Sequence, residues 1–282
     1  MHLGNVYAAL MSWLSAKSQG GTWLLRIEDL DPQRCRLDYA RQLEDDLLWL
    51  GLEWDEGGVD GKGADGPYVQ SQRGDIYAHY LHLLQERGMT YPCYCTRADI
   101  MATQAPHESD GRIVYAGTCR HLPPRPGVPV SIRLCVPDRN ITFTDQMYGT
   151  QRINLAQHCG DFILRRRDGA WAYQLAVVVD DALMGVTEVV RGEDLLLSTP
   201  QQIYLQELLG FPTPTYRHIP LLKNEAGQRL SKRDSSLDMN VLRQQHTPEE
   251  LIGRLAVRTG LITSYRPLSA QELLREYNPN RS

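Results

Sequence analysis

Thr22-Trp23-Leu24-Leu25-Arg26-Ile27 reads as a strand, and its position between two stretches of helical periodicity, Val6–Leu14 and Tyr39–Leu50, decides the fold class. Working outward, a Gly- and Asp-rich loop at 56–66 leads to a second amphipathic stretch, Ile76–Arg87, which Gly88 closes as a helix C-terminus should. Strands alternating with helices imply an α/β fold around a parallel sheet. From Tyr91 to about Pro137 the texture changes to cysteines, prolines and polar loops, which predicts a small insertion. The alternation then resumes. Trp171–Val179 is continuously apolar and reads as a buried strand, Thr187–Val190 reads as another, and Thr199–Leu209 as a helix. Beyond Asp238 the pattern is helical and ends in the polar tail Asn278–Ser282. Four segments result: 1–90 and 138–238 as the halves of one α/β domain, 91–137 as the insertion, and 239–282 as a short helical region.

With 282 residues, 42% hydrophobic and 23% charged, the chain has the composition of an ordinary soluble globular protein. No apolar run approaches the roughly 20 residues of a membrane helix, and no charged leader precedes a long apolar stretch, so no membrane association and a cytoplasmic location are expected. The net charge of -4 hides an asymmetry. Residues 1–90 carry 14 acidic and 8 basic side chains, whereas residues 216–282 carry 7 acidic and 11 basic, a balance that suits a polyanion at the C-terminal end. Solvated helix faces would account for the same arginines. Six unevenly spaced cysteines do not form a disulfide framework and point to a metal or to isolated thiols.

Three patterns carry chemistry. His2-Leu3-Gly4-Asn5 stands at the start of the first helix, where free backbone N–H groups and the helix dipole favour a phosphate, and a histidine can donate to phosphate oxygens as charge develops on them. Arg229-Leu230-Ser231-Lys232-Arg233 follows a strand-then-turn pattern after His218-Ile219-Pro220-Leu221-Leu222, and the Lys232 ammonium can track a triphosphate and stabilise its leaving pyrophosphate. Cys93, Cys95 and Cys119 with Tyr115 make a soft donor set compatible with tetrahedral zinc; His121 is an alternative fourth ligand, and three reduced thiols in a loop-rich insertion are the alternative to any metal.

The His2 and Lys232 motifs resemble the two signatures of class I aminoacyl-tRNA synthetases. Leu25-Arg26-Ile27-Glu28-Asp29-Leu30-Asp31 is similar to the L-R-I-E-D-T-D segment of the glutamyl branch, and Val190-Arg191-Gly192-Glu193-Asp194-Leu195-Leu196 to its R-G-E-D-L loop. The resemblance implies a Rossmann-like catalytic domain that joins a glutamate carboxylate to the α-phosphate of ATP, with magnesium. It implies catalytic roles for His2, Gly4, Asn5 and Lys232, of which His2, Gly4 and Lys232 bind ATP. Glu28 would hold the amino group of L-glutamate, Tyr173 would hydrogen-bond the substrate, and Arg191 would pair with its side-chain carboxylate. An ion pair of Glu28 with Arg26 or Arg34, and a core position for Tyr173, are the structural alternatives.

The order Cys93, Cys95, Tyr115, Cys119 resembles the zinc site of a short subgroup, the paralogues that attach glutamate to queuosine in the anticodon of tRNA(Asp). The 49 residues after Arg233 are too few for the anticodon-binding domain of a full-length glutamyl-tRNA synthetase. For this chain the resemblance implies tRNA-independent glutamate activation, one zinc ion, queuosine-containing tRNA(Asp) as acceptor, and a monomer. Two departures stand against it. Family members place a strand and turn before the His motif, so an upstream extension is expected and the chain as written is expected to be poorly folded or inactive. Arg229 replaces the first lysine of the second signature, which keeps charge but changes geometry. A truncated synthetase charging the tRNA 3′ end and a non-catalytic RNA-binding paralogue remain as alternatives.

Overall fold

The computed structural model describes residues 1–31, 35–102, 114–222 and 238–278. They form two compact units, the first from residues 1–69, 188–194 and 216–282, the second from 70–187 and 195–215.

The first unit begins with α1 (Leu3–Ser18), which is rich in Ala and Leu. Leu3, Val6, Tyr7, Leu10, Met11, Trp13 and Leu14 are all buried and recur at the i, i+3, i+4 spacing, so α1 packs one broad apolar face into the core. β1 (Leu24–Leu25) follows, then α2 (Leu37–Trp49) and β2 (Glu56–Gly57). β1 and β2 pair in parallel, Leu24 with Glu56 and Leu25 with Gly57, and an isolated parallel bridge joins Ile27 to Val69. Gly57 has φ +92, and a Cβ there would lie 1.9 Å from the Leu25 carbonyl oxygen, so only glycine allows this approach.

In the second unit a 3-10 turn at Gln70–Arg73 leads into α3 (Gly74–Glu86), β3 (Thr90–Cys93), α4 (Arg97–Ala102), β4 (Ser131–Leu134), β5 (Asn140–Asp145), β6 (Gly149–Asn154), α5 (Leu155–His158), β7 (Ile163–Arg165) and α6 (Tyr173–Leu183). β3, β4 and β7 form an antiparallel sheet in that order, and β5 and β6 form a hairpin in register from Asn140–Asn154 to Asp145–Gly149. The segment 91–137 is thus less loop-rich than its composition suggests, since it contains most of β3 and all of β4.

The stretch Trp171–Val179 is corrected by the structure. It is not a strand: Ala172 is the N-cap of α6, and the helix runs on through Asp180 and Asp181 to Leu183. Six consecutive buried residues, Leu175 to Asp180, explain the misreading, because a helix enclosed on every side leaves no polar face to reveal its period. The carboxylate of Asp180, wholly buried, accepts from Arg73 Nε at 2.6 Å, Tyr77 Oη at 2.7 Å and Gln70 Nε2 at 2.8 Å. One residue of α6 therefore fastens the 3-10 turn and α3.

The chain then contributes β8 (Glu188–Gly192) to the first unit and α7 (Thr199–Leu209) to the second, and α7 has the bounds expected from sequence. β9 (Thr215–Ile219) is the sheet neighbour of β8. Ser15 Oγ and Gln19 Nε2 each donate to the Glu188 carboxylate at 3.0 Å, fixing β8 against α1. Among the described residues three helices follow in this unit: α8 (Met239–Gln245), α9 (Pro248–Arg258) and α10 (Ala270–Glu276). Capping boxes start the last two, Thr247 with Glu250 and Ser269 with Glu272.

Candidate active site

His2 is the N-cap of α1, with extended backbone (φ -117, ψ 149), and its Nδ1 accepts the Gly4 N–H at 3.2 Å. An imidazole that accepts at Nδ1 carries its proton on Nε2, the tautomer that suits donation to a phosphate oxygen. Asn5 lies exposed in the first turn. The His2-Gly4-Asn5 group therefore occupies the place the sequence assigned to it, at a helix N-terminus whose dipole attracts anions.

Arg191 lies inside β8 and not just beyond it, as the sequence had suggested. Its residue is 8% exposed, and its Nε donates to Nε2 of His218 on β9 at 3.1 Å. The guanidinium also lies over the Tyr216 ring, 5.3 Å from the centroid, and Tyr216 stacks on His218 at an interplanar angle of 17°. Next along β8, a Cβ on Gly192 would come within 2.6 Å of the Asp194 carboxylate and 3.0 Å of Leu221, which explains a glycine after the arginine. Glu193 accepts the Leu221 N–H at 3.2 Å. Burial, followed by the charges of Tyr277 and Glu193, pushes the Tyr7 hydroxyl up to about 12.

Glu28 forms the ion pair with Arg26 that its spacing allowed, at 3.2 Å, and its side chain stays 40% exposed. Tyr173 is the first residue of α6 and belongs to the second unit, a correction to its expected strand position; Glu28 and Arg191 belong to the first. Behind it the Gln174 amide donates to Gln201 at 2.8 Å and accepts from Gln202 at 2.9 Å, which fixes the first turn of α6 on α7. Arg34, Arg229 and Lys232 lie outside the described residues.

The cysteine cluster is assembled from two chain segments and held by a third. Cys93 ends β3, Cys95 follows it, Cys119 sits in a turn, and Tyr115 is held by a parallel bridge to Gly160. The three Sγ atoms lie within 4.8 Å of one another, with Cys95 and Cys119 at 3.5 Å. Tyr115 Oη is 3.4 Å from Cys93 Sγ and 3.5 Å from Cys95 Sγ, and it accepts the Cys119 N–H at 3.0 Å. His121 is exposed and stands outside this group. Thiolates bound to zinc at about 2.3 Å would be about 3.8 Å apart in a tetrahedron, so little movement separates this arrangement from a coordination shell. Burial opposes ionisation of the Cys119 thiol, but hydrogen bonds led by Tyr115 bring it down to about 7. Burial and its thiol neighbours push the Tyr115 phenol upward.

Asp161 braces this cluster from behind. Its carboxylate takes Arg120 Nε at 2.8 Å, the Val136 N–H at 2.8 Å and the Tyr91 hydroxyl. Arg133 donates to its carbonyl at 2.7 Å and stacks on the Tyr115 ring, 3.9 Å from the centroid. A Cβ on Gly160, whose φ is +61, would lie 2.7 Å from the Tyr115 carbonyl oxygen. These supports escaped the sequence reading because nothing in the spacing of Asp161, Arg133 or Gly160 links them to the cysteines.

With this geometry, residues 1–281 match the family described as tRNA synthetases class I (E and Q), catalytic domain. The chain belongs to this family. It is 47% identical to the glutamyl-Q tRNA(Asp) synthetase of Symbiobacterium thermophilum over 97% of its own length and 87% of that protein. To the enzyme of the same name from Nitratidesulfovibrio vulgaris it is 46% identical, over 96% and 86%. Its fold is similar to that of a glutamate tRNA ligase from Elizabethkingia meningosepticum in complex with its amino acid, with TM-score 0.83 and 29% identity. The glutamate-tRNA synthetase of Elizabethkingia anophelis gives TM-score 0.83 and 28% identity. The chain is covered completely in both comparisons but spans 63% and 64% of those structures. Membership makes the protein an ATP-using ligase of the class I aminoacyl-tRNA synthetase type, an α/β catalytic domain built on a parallel sheet. Among the described residues no helix is long and apolar enough to cross a membrane.

Two residues with a place at this site were not singled out in the sequence. His218 was visible only as part of an apolar run before the basic loop, and Tyr216 not at all. Their pairing with Arg191 follows from the register of β9 on β8, which no local pattern records.

Proposed function

We propose that this protein activates L-glutamate with ATP and transfers it to the queuosine base in the anticodon of tRNA(Asp). The observation that carries this reading is the near full-length similarity to glutamyl-Q tRNA(Asp) synthetases, together with a buried arginine held on β8. In the first step a glutamate α-carboxylate oxygen bonds to the α-phosphorus of ATP, the bond from that phosphorus to the bridging oxygen breaks, and pyrophosphate leaves. His2 and the α1 N-terminus oppose the negative charge that gathers on the α-phosphate, and Lys232 follows the departing pyrophosphate. Arg191 pairs end-on with the side-chain carboxylate, Glu28 takes the amino group and Tyr173 hydrogen-bonds the amino acid. In the second step a hydroxyl of the queuosine cyclopentenediol attacks the acyl carbon of the adenylate and AMP leaves. Magnesium enters with ATP, and activation needs no tRNA. The protein acts as a cytoplasmic monomer.

Residues 91–137 serve as a zinc-braced insertion between the two halves of the catalytic domain, 1–90 and 138–238, and 239–282 as its helical C-terminal region. Cys93, Cys95, Cys119 and Tyr115 hold one zinc ion, which would supply a closed four-ligand crosslink rather than an open coordination site for chemistry. The donor set and its spacing support this assignment. One zinc per chain is expected by elemental analysis of the purified protein. Cys119→Ser should lose it and melt at a temperature several degrees lower, a shift that a strong chelator reproduces in the wild type. Stoichiometric zinc retained by Cys119→Ser would remove that thiol from the site.

Two measurements test the activity. Glutamate-dependent exchange of pyrophosphate into ATP is expected without tRNA, measured on the chain as written and on one extended upstream. Labelled glutamate should then appear on tRNA(Asp) that carries queuosine and be absent from the same tRNA without it. Transfer to both tRNAs alike would favour charging of the 3′ end, and no exchange would favour a non-catalytic RNA-binding protein.

A further inference from the structure

We infer that His218 is a positioning residue for Arg191 and thereby sets the geometry in which the substrate side-chain carboxylate is bound. The inference rests on the reading of Arg191 as the group that pairs with that carboxylate.

A guanidinium can meet a carboxylate with two parallel N–H donors either side-on, through Nε and one Nη, or end-on, through its two Nη atoms. Here the Arg191 Nε donates to His218 Nε2 at 3.1 Å, so the side-on edge is engaged and a two-point pairing with a carboxylate would be end-on. Arginine has no acceptor and keeps its protons, so His218 must accept at Nε2 and carry its hydrogen on Nδ1. His218 is wholly buried and Arg191 is 8% exposed, so this bond lies where water does not compete for it.

The partners are fixed in turn. Tyr216 stacks on the His218 ring, with centroids 6.1 Å apart, and its own ring lies under the Arg191 guanidinium. Two residues of β9 thus restrict the plane of an arginine on the neighbouring strand β8, although only Arg191 would touch the substrate. Pre-organisation of this kind lowers the cost of ordering a long side chain when the ligand binds. A histidine at 218 acts through reach: its Nε2 lies one bond farther from the backbone than its Nδ1, and only the farther nitrogen meets Arg191.

Reach gives the test. Glutamine presents its side-chain oxygen near the position of Nε2, whereas asparagine, equally polar, falls short of it. His218→Asn and His218→Leu are expected to raise the KM for glutamate about tenfold or more in ATP–pyrophosphate exchange, with the KM for ATP changed less than twofold. His218→Gln should recover most of the glutamate affinity. In an Arg191→Lys background, which lacks the Nε donor, the same substitutions should add little. Each variant is first shown to be folded by circular dichroism, and either His218→Asn or His218→Leu suffices for the comparison with His218→Gln. Glutamine and asparagine variants equally impaired, or both KM values raised together, would overturn the positioning role. Normal glutamate KM in Arg191→Lys would instead overturn the reading of Arg191 beneath it.

Discussion

Asp180→Ala is expected to destabilise the protein by about 3–5 kcal/mol, enough to leave much of it unfolded at physiological temperature. Removing this carboxylate strands the Arg73 guanidinium, 2% exposed, without its 2.6 Å partner, and deprives the Tyr77 hydroxyl and Gln70 amide of an acceptor at the same stroke. The loss is larger than the pair's net worth, because an uncompensated buried charge costs more than a buried ion pair contributes. Asp180→Asn keeps an acceptor oxygen but not the charge, and should fall between wild type and alanine. Urea denaturation followed by circular dichroism measures the difference. A change under about 1 kcal/mol for Asp180→Ala would mean that water enters and solvates Arg73, and that the hub is not a closed one.

Arg191→Leu should lower kcat/KM for glutamate about 100-fold or more while the KM for ATP stays close to its starting value. Truncating one partner of a buried, hydrogen-bonded charge pair costs about 2–5 kcal/mol, and 1.4 kcal/mol is a factor of ten. Arg191→Lys keeps the charge but offers a single ammonium in place of a planar fork, so it should lie between the two. Discrimination sharpens the prediction, because a pocket that loses its carboxylate partner should also lose its preference for glutamate over glutamine. Exchange assays with each amino acid decide it; unchanged selectivity would move the carboxylate contact to another residue.

Much of the site could be read directly along the chain because its parts are local. The His2 cap is a helix-start motif within four residues, and the periodicity legible from Val6 lies in the same helix, which begins at Leu3. The cysteines are close in sequence, whereas the position of the Tyr115 phenol beside two thiols, with His121 exposed, is visible only in the structure. α7 was found at its expected bounds, and Gly88, with φ +65, ends α3 as its position implied.

What failed was the reading that needed a third dimension. An apolar run such as Leu175–Val179 fits a buried strand or a buried helix equally well, and the choice rests on Asp180 finding Arg73, Gln70 and Tyr77, residues more than 100 positions away. The sequence by itself determined the α/β class, the family's signature residues and the soft donor set, since each is a matter of residue type and short spacing. Only the tertiary structure decided that Arg191 is gripped by His218 and Tyr216, that Asp161 braces the cysteine cluster, and that Tyr173 begins a helix. Those facts come from strand register and long-range burial, which depend on contacts between segments that local spacing does not encode.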